Sequence, residues 1–397
     1  MNRIDSLDKL IKNFGEPDAL IDNFSSDKYG YAIWGYDDIF QYDSKDFQTI
    51  ENPFQKLQNK IKSWENKNRK INCIGFVSYD IKNILYSHIN FKKVQSNFPV
   101  MWFAKPKLIK PFRITSNIPI KDSKKNYLHK DILNIKEYKR KIKMIKKELE
   151  AGNTYQINFT MNKIFKIHSN PFSLYLQMRQ FAKPAFGYYI KLKNKHILSL
   201  SPEQFFNTSG SIIKSFPMKG TRPRDIKKDR DQMLKNELKN SIKDKAEHLM
   251  IVDLLRNDLG KICQYKSIKV KNLYNVNSYE SVHQMVSCVQ GMLNESINNI
   301  DILKALCPGG SITGAPKESS MKIIDSLENY NRGIYSGTIG YIKNNGDMSF
   351  NIAIRTMSIC KDEGSYPVGG GIVWDSKAKD EWDEAQLKSK ILNNFIN

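Results

Sequence analysis

Ser201-Pro202-Glu203-Gln204-Phe205-Phe206-Asn207-Thr208-Ser209-Gly210-Ser211-Ile212-Ile213-Lys214-Ser215-Phe216-Pro217-Met218-Lys219-Gly220-Thr221-Arg222-Pro223-Arg224 is the stretch from which the rest of the chain can be read. Apolar Phe205, Phe206, Ile212, Ile213 and Phe216 flank Ser209-Gly210, a turn dipeptide, which predicts a β-hairpin. Glu203 then stands near the outer end of the first strand, directly after Pro202, and Lys219 near the outer end of the second, between Pro217 and Gly220, in stiff surroundings. A carboxyl and an amine held this way serve as general acid and nucleophile, or simply as a cross-strand ion pair. On these residues alone the ion pair is the simpler reading.

Outward from the hairpin, strands arrive in runs. Before it come Tyr155–Thr160, 186–192 and 196–201, and after it 335–342, 348–359 and 366–373. Ile135, Tyr138, Ile142, Ile145 and Leu149 are spaced for one face of a helix over 135–150, with Gly152 placed to end it. A long helical stretch is expected over about 227–259, another helix from Pro316 and a last one from about 377. Strands in runs with helices between the runs predict an α+β fold rather than a doubly wound parallel sheet. Residues 1–130 alternate short apolar runs, such as Ile71–Tyr79 and Pro99–Ala104, with polar loops. The polar stretch Lys121–Lys130 reads as a linker between this part and 131–397.

Composition narrows the classes. With 397 residues, 40% of them hydrophobic, the chain can bury a sizeable core. No apolar run has the length of a membrane helix and Met1–Asp5 does not open a signal peptide. The five cysteines are scattered, with no zinc or redox spacing. Together these predict a cytoplasmic protein with free thiols. The net charge of +22 invites a nucleic-acid reading, but the lysines are spread along the whole chain. Solvated faces that help draw in a small polyanion are the expected role, with no nucleic acid and no membrane as partner.

Two helical segments each carry acids one turn apart, Asp244 with Glu247 and Glu381 with Glu384. If the helices face each other, four carboxylates make a hard-oxygen site suited to magnesium. Neutralisation at the surface by Lys243, Lys245 and Lys379 is the competing reading, and spacing alone favours it. Cys307–Lys317 is a Gly-rich loop running into a helix at Pro316, an anion site in the making, although Ala315 stands where a P-loop needs lysine. Gly369-Gly370-Gly371 inside a strand predicts close approach to a ligand or neighbour. Arg355, in apolar Ala353-Ile354-Arg355-Thr356, is expected to need a carboxylate partner, from the protein or from a substrate. His283 on an apolar segment is by itself a core histidine, and Asp253–Gly260 a helix end with its own polar capping. There is no Gly-x-Ser-x-Gly or comparable cysteine elbow, hence no obvious amidotransferase nucleophile.

In this order the pieces resemble the chorismate-utilising enzymes. The matching stretches are Ala151–Thr160, Ser201–Glu203, Pro217–Arg224, Ala246–Gly260, Pro308–Lys317, Tyr335–Gly340, Ala353–Thr356 and Gly369–Asp375, while the first 130 residues match mainly in Gly75–Asp80. The resemblance implies two antiparallel sheets packed face to face with helices outside. It also implies magnesium on Glu247 and Glu381, with Asp244 and Glu384 nearby through water. By the same resemblance Gln156, Thr313, Gly314, Tyr335, Arg355, Gly369, Gly370, Gly371 and Lys388 form the pocket for chorismate.

Two positions separate the members. Isochorismate and salicylate enzymes carry a water-activating lysine where this chain has Gln156, so water addition is not expected. Anthranilate synthases carry alanine at the place of Lys219, whereas aminodeoxychorismate synthases carry lysine in Pro-x-Lys-Gly-Thr, as in Pro217-Met218-Lys219-Gly220-Thr221. The resemblance is therefore greatest to aminodeoxychorismate synthase component I, with anthranilate synthase as the alternative. It implies Lys219 as nucleophile and Glu203 as acid, and His283 aligns with a histidine implicated in pyruvate elimination. The ammonia is expected from a separate glutamine amidotransferase subunit.

Overall fold

The turn at Ser209-Gly210 closes the expected hairpin, Gln204–Ser209 pairing antiparallel with Ile212–Ser215. Lys219, however, is not on it. The chain leaves the ladder at Phe216-Pro217, where proline has no N–H to give, and Lys219 lies on a separate strand, Met218–Pro223. That strand pairs with Val282–Met292, Lys219 opposite Met285. The computed structural model describes residues 4–23, 29–48, 52–65, 70–114, 126–131, 133–279, 282–393 and 395.

All ladders between named strands are antiparallel, and they join without a break. From Gln156–Lys166 the hydrogen bonds pass to Glu363–Ile372, Thr356–Cys360, Lys195–Ser201, Phe186–Leu192 and Ala19–Asp22. They continue through Tyr29–Tyr42, Met101–Arg113, Ile71–Val77, Thr338–Lys343 and Met348–Ile352 to the hairpin, and on to Val282–Met292. The α+β class holds, but the expectation of two separate sheets is corrected to one large antiparallel sheet. The reason is Ala19–Asp22, whose four buried residues pair with a strand on each side and make the ladder continuous. The sheet folds over, and Ile33, Ile74, Phe76, Trp102, Tyr188, Ile190, Ile197 and Ile339 from both of its halves share one core.

The helix Ile135–Glu150 forms as its spacing predicts, capped by the Asn134 side chain accepting from Glu137 N–H, and Gly152 follows at φ 74°. The long stretch at 227–259 divides into Lys228–Asn240 and Ile242–Gly260 because Ser241 leaves helical geometry and caps the second helix at Asp244 N–H. The stretch 348–359 also divides, at 353–355. Of the expected linker, 121–125 lie outside the described residues, and Tyr127–Asp131 is a strand paired with Gln156–Lys166. Ile71–Val77 pairs with Thr338–Lys343, which ties the amino-terminal part into the same sheet as the rest. No described helix is long and apolar enough to cross a membrane.

Candidate active site

The three glycines of Glu363–Ile372 organise the site. Gly369, Gly370 and Gly371 stand opposite Thr160, Phe159 and Asn158. A side chain at Gly369 would collide with the Phe159 carbonyl. A Cβ at Gly370 would lie 3.4 Å from Lys388 Nζ, 3.6 Å from Glu381 Oε2 and 3.8 Å from Glu384 Oε1. At Gly371 it would lie 2.8 Å from Lys219 Nζ and 3.0 Å from Gln156 Nε2. Gly371 thus opens toward Lys219 and Gln156, and Gly370, on the opposite face of the strand, toward the helix Ala378–Lys388, whose Glu384 is close enough to feel the charge of Lys219. Gln156 is fully buried, and among the described residues neither its Nε2 nor its Oε1 has a hydrogen-bond partner. An unpaired amide there is costly unless a ligand meets it.

Lys219 reaches Glu247 of the helix Ile242–Gly260, Nζ to Oε2 3.7 Å. Glu203, half-buried just before the hairpin, is close enough to feel the charge of Lys219. Burial pushes the Glu203 carboxyl up to about 7, against the opposing pull of Lys219 and of Ser311, whose hydroxyl donates to Oε1 at 3.3 Å. A carboxyl of that strength beside an amine is equipped to donate a proton near neutrality.

The two acid pairs are linked through lysines, Lys243 acting on Glu247, Glu381 and Glu384 and Lys219 on Glu247 and Glu384. Glu247 has Lys219 and, at 3.9 Å, Lys243; Asp244 accepts from Arg222 at 3.1 Å. Lys388 lies 2.7 Å from Glu384 and donates to the Gly369 carbonyl. Burial and the nearby Glu384 push Glu381 up, against a hydrogen bond from Ser376. Burial alone would also raise Glu384, but Lys388 outweighs it and holds that carboxyl low. Among the described residues no three acidic, histidine or cysteine side chains converge closely enough to grip an ion. The donors suit magnesium in kind, being carboxylates from two helices, and the raised Glu381 marks a place where added positive charge is favourable.

Other predicted residues take varied places. Thr313 is fully buried and its hydroxyl donates to Gly309 O at 2.9 Å, so that proton is engaged by the protein. Gly314 sits at φ 152°, and a Cβ there would strike the Gln156 carbonyl. Pro316 stands as the cap before the helix Lys317–Leu327, not inside its first turn. Asp258 is buried and pairs with Lys317 at 2.7 Å and Lys261 at 2.9 Å, fastening the helix end to the Gly-rich loop, a structural role as read. Tyr335 is buried, its hydroxyl pushed up to about 12 by that burial.

Arg355 does not lie within an apolar strand as expected, and the partner left open to it is a substrate carboxylate. It is exposed, at φ 49°, in the break between the strands Met348–Ile352 and Thr356–Cys360. The left-handed turn lifts the guanidinium out of the apolar ladder, so it needs no protein carboxylate. His283 is buried on Val282–Met292, but Asp231 and Ser278 hold its two ring nitrogens at 2.9 Å each. Asp231 in turn binds Arg224, so the structure brings His283 into that network and not to Lys219.

Sequence reading missed two features. Tyr366 is fully buried with its hydroxyl unpartnered and lies within the field of Arg355; it shares the alternation that leads to Val368 and Gly370. Glu328 and Arg332 form a buried ion pair at 2.7 Å beneath the strand that carries Gln156. Their i, i+4 spacing was visible, but only burial distinguishes them from a surface pair.

Residues 18–394 match the family model described as chorismate binding enzyme. The chain is 40% identical over 250 residues to "Aminodeoxychorismate synthase component 1" of Escherichia coli, covering 62% of this chain and 55% of that protein. It is 33% identical over 345 residues to "Anthranilate synthase component 1" of Saccharolobus solfataricus, covering 81% and 80%. The aminodeoxychorismate synthase of Arabidopsis thaliana, 40% identical over 264 residues, is matched over 66% of this chain but only 29% of its own length. The matches thus span between about a third and about a half of these two aminodeoxychorismate synthases. In fold, the chain resembles the crystal structure of anthranilate synthase component I from Streptococcus pneumoniae, with a TM-score of 0.81 at 24% identity and 92% of each chain covered.

Proposed function

The chain belongs to the chorismate-binding enzymes, and on that premise we propose that it aminates chorismate at C4 as component I of an aminodeoxychorismate synthase. The observation that carries this reading is Lys219 beside Gly371 and the unpaired Gln156 amide, with a Glu203 carboxyl raised to about 7 close by. In its free-amine form Lys219 Nζ attacks C2, the double bonds shift, and the C4–O bond breaks as Glu203 passes its proton to the departing hydroxyl, which leaves as water. Ammonia then forms the new bond at C4, the double bonds shift back, and the lysine amine is expelled from C2. The sum is chorismate plus ammonia to 4-amino-4-deoxychorismate plus water, with pyruvate retained.

Exposed Arg355 and the Gln156 amide orient the substrate, and the bare backbone of Gly369–Gly371 lets it approach. Glu247 and Glu381, with Asp244 and Glu384, would hold magnesium, which supplies positive charge for a substrate carboxylate. Two relatives carry "component 1" in their names, and this supports a separate glutamine amidotransferase subunit as the ammonia source. The reading carries with it a cytoplasmic setting and a place in 4-aminobenzoate and folate synthesis.

Anthranilate formation is the second reading, favoured by the longer match to the archaeal anthranilate synthase component. Product identification separates the two. Purified protein is given chorismate, magnesium and excess ammonium, with and without an aminodeoxychorismate lyase. The proposal expects 4-aminobenzoate only with the lyase, and at least a roughly thousandfold loss in Lys219→Ala without loss of chorismate binding. Anthranilate without the lyase, or an active Lys219→Ala, overturns it.

A further inference from the structure

A cavity of about 150 Å³ lies away from Lys219, between the loop after the helix Lys317–Leu327 and the segment that follows Ile71–Val77. Tyr79, Lys82, Lys92, Lys93, Tyr330 and Arg332 line it, and Asp80, Asp325 and Glu328 supply the opposing charge. Two of the acids are committed: Asp325 to Lys82 at 2.9 Å, and Glu328 to Arg332. Asp80 accepts from Gly333 N–H. Lys92 gives its ammonium only to the neutral Glu328 carbonyl, and Lys93 makes no ion pair among the described residues. Tyr79 is buried, yet its hydroxyl has no hydrogen-bond partner in the structure. A buried donor without an acceptor, in a cavity with two lysines left over at its rim, is the environment an anion completes.

We propose that this cavity is a second ligand site, taking a small carboxylate of benzoate size whose carboxylate accepts from the Tyr79 hydroxyl and faces Lys92 and Lys93. The size follows from the volume, since a cavity of roughly 150 Å³ accommodates a benzene ring. The wiring behind it gives the site a consequence. Arg332 donates to Ile312 O at 2.7 Å and Asn158 O at 2.6 Å, the first beside Thr313 and the second opposite Gly371. Glu328 accepts from Thr160 N–H and hydroxyl, opposite Gly369. A ligand that draws Lys92 from the Glu328 carbonyl therefore acts on the Glu328–Arg332 pair and, through it, on the strand and loop that shape the Lys219 site, and by linkage the two sites respond to each other. Only this coupling rests on the proposed function.

The test is calorimetric titration of the full chain with benzoate, using acetate and inorganic phosphate as controls. Benzoate is expected to bind wild type and Arg355→Ala alike, and Lys93→Glu at least tenfold more weakly. Lys93→Glu should turn chorismate over as wild type does without benzoate, and should lose the benzoate-induced change in chorismate KM. Benzoate binding that fails in Arg355→Ala and survives in Lys93→Glu overturns the site, as does phosphate binding as tightly as benzoate. A chain that turns over no chorismate would overturn the proposed function while the binding arms still read the cavity.

Discussion

Two buried polar regions lie along the Gln156–Lys166 strand, and they settle their hydrogen bonds in opposite ways. Around Arg332 the guanidinium meets Glu328, the Ile312 carbonyl and the Asn158 carbonyl, and Glu328 is met by Thr160. A few residues along, Gln156 is fully buried with both amide atoms unpaired among the described residues, and Glu203 is raised by burial. The Arg332–Glu328 pair spends its polarity on the fold, whereas the Gln156 amide and, beside the pair, the Tyr79 hydroxyl of the second proposed site withhold theirs. Because an unmet buried polar group costs about 1–3 kcal/mol, the second arrangement persists best where a ligand recovers that energy. The contrast separates support from site without reference to any relative.

Breaking the closed region should have the largest effect on stability. Arg332→Ala leaves Glu328 buried and unopposed, and should cost about 3–5 kcal/mol in urea unfolding. A loss under 1 kcal/mol would mean the network is not the anchor it looks to be.

Glu203 sharpens the other side. Its carboxyl is raised from the ordinary carboxylate range to about 7 in the folded chain. The native state is therefore unpenalised at pH 4, loses stability as pH rises toward 7, and bears the full penalty above it. Glu203→Gln should match wild type at pH 4 and exceed it by roughly 3 kcal/mol at pH 8, while turnover falls about 10²–10⁴-fold. Equal stability at both pH values would show that the carboxyl is not strained by burial.

The smallest effect is expected from Gln156→Leu. Replacing an unpaired amide by an apolar group of similar size should stabilise the free protein by about 1 kcal/mol and weaken chorismate binding. A destabilised variant would mean that the amide is satisfied in the free protein, and the comparison would fail on its open side.

The alternation of apolar residues, the Ser209-Gly210 turn and the helix spacing over 135–150 were enough to predict the hairpin, that helix and the α+β class, because they are set by local periodicity. Local pattern also marked the three glycines and the two acid pairs as unusual. It misjudged where one element stops and the next starts. Pro217 moved Lys219 onto another strand, Ser241 cut a helix in two, and Arg355 fell in the turn between two strands and not within one. The joining of the strands into one sheet, the partners that tie His283 to Asp231, and the partners denied to Gln156 were decided only in the tertiary structure. Whether a buried polar group is satisfied depends on atoms far away in sequence, and periodicity carries no information about those.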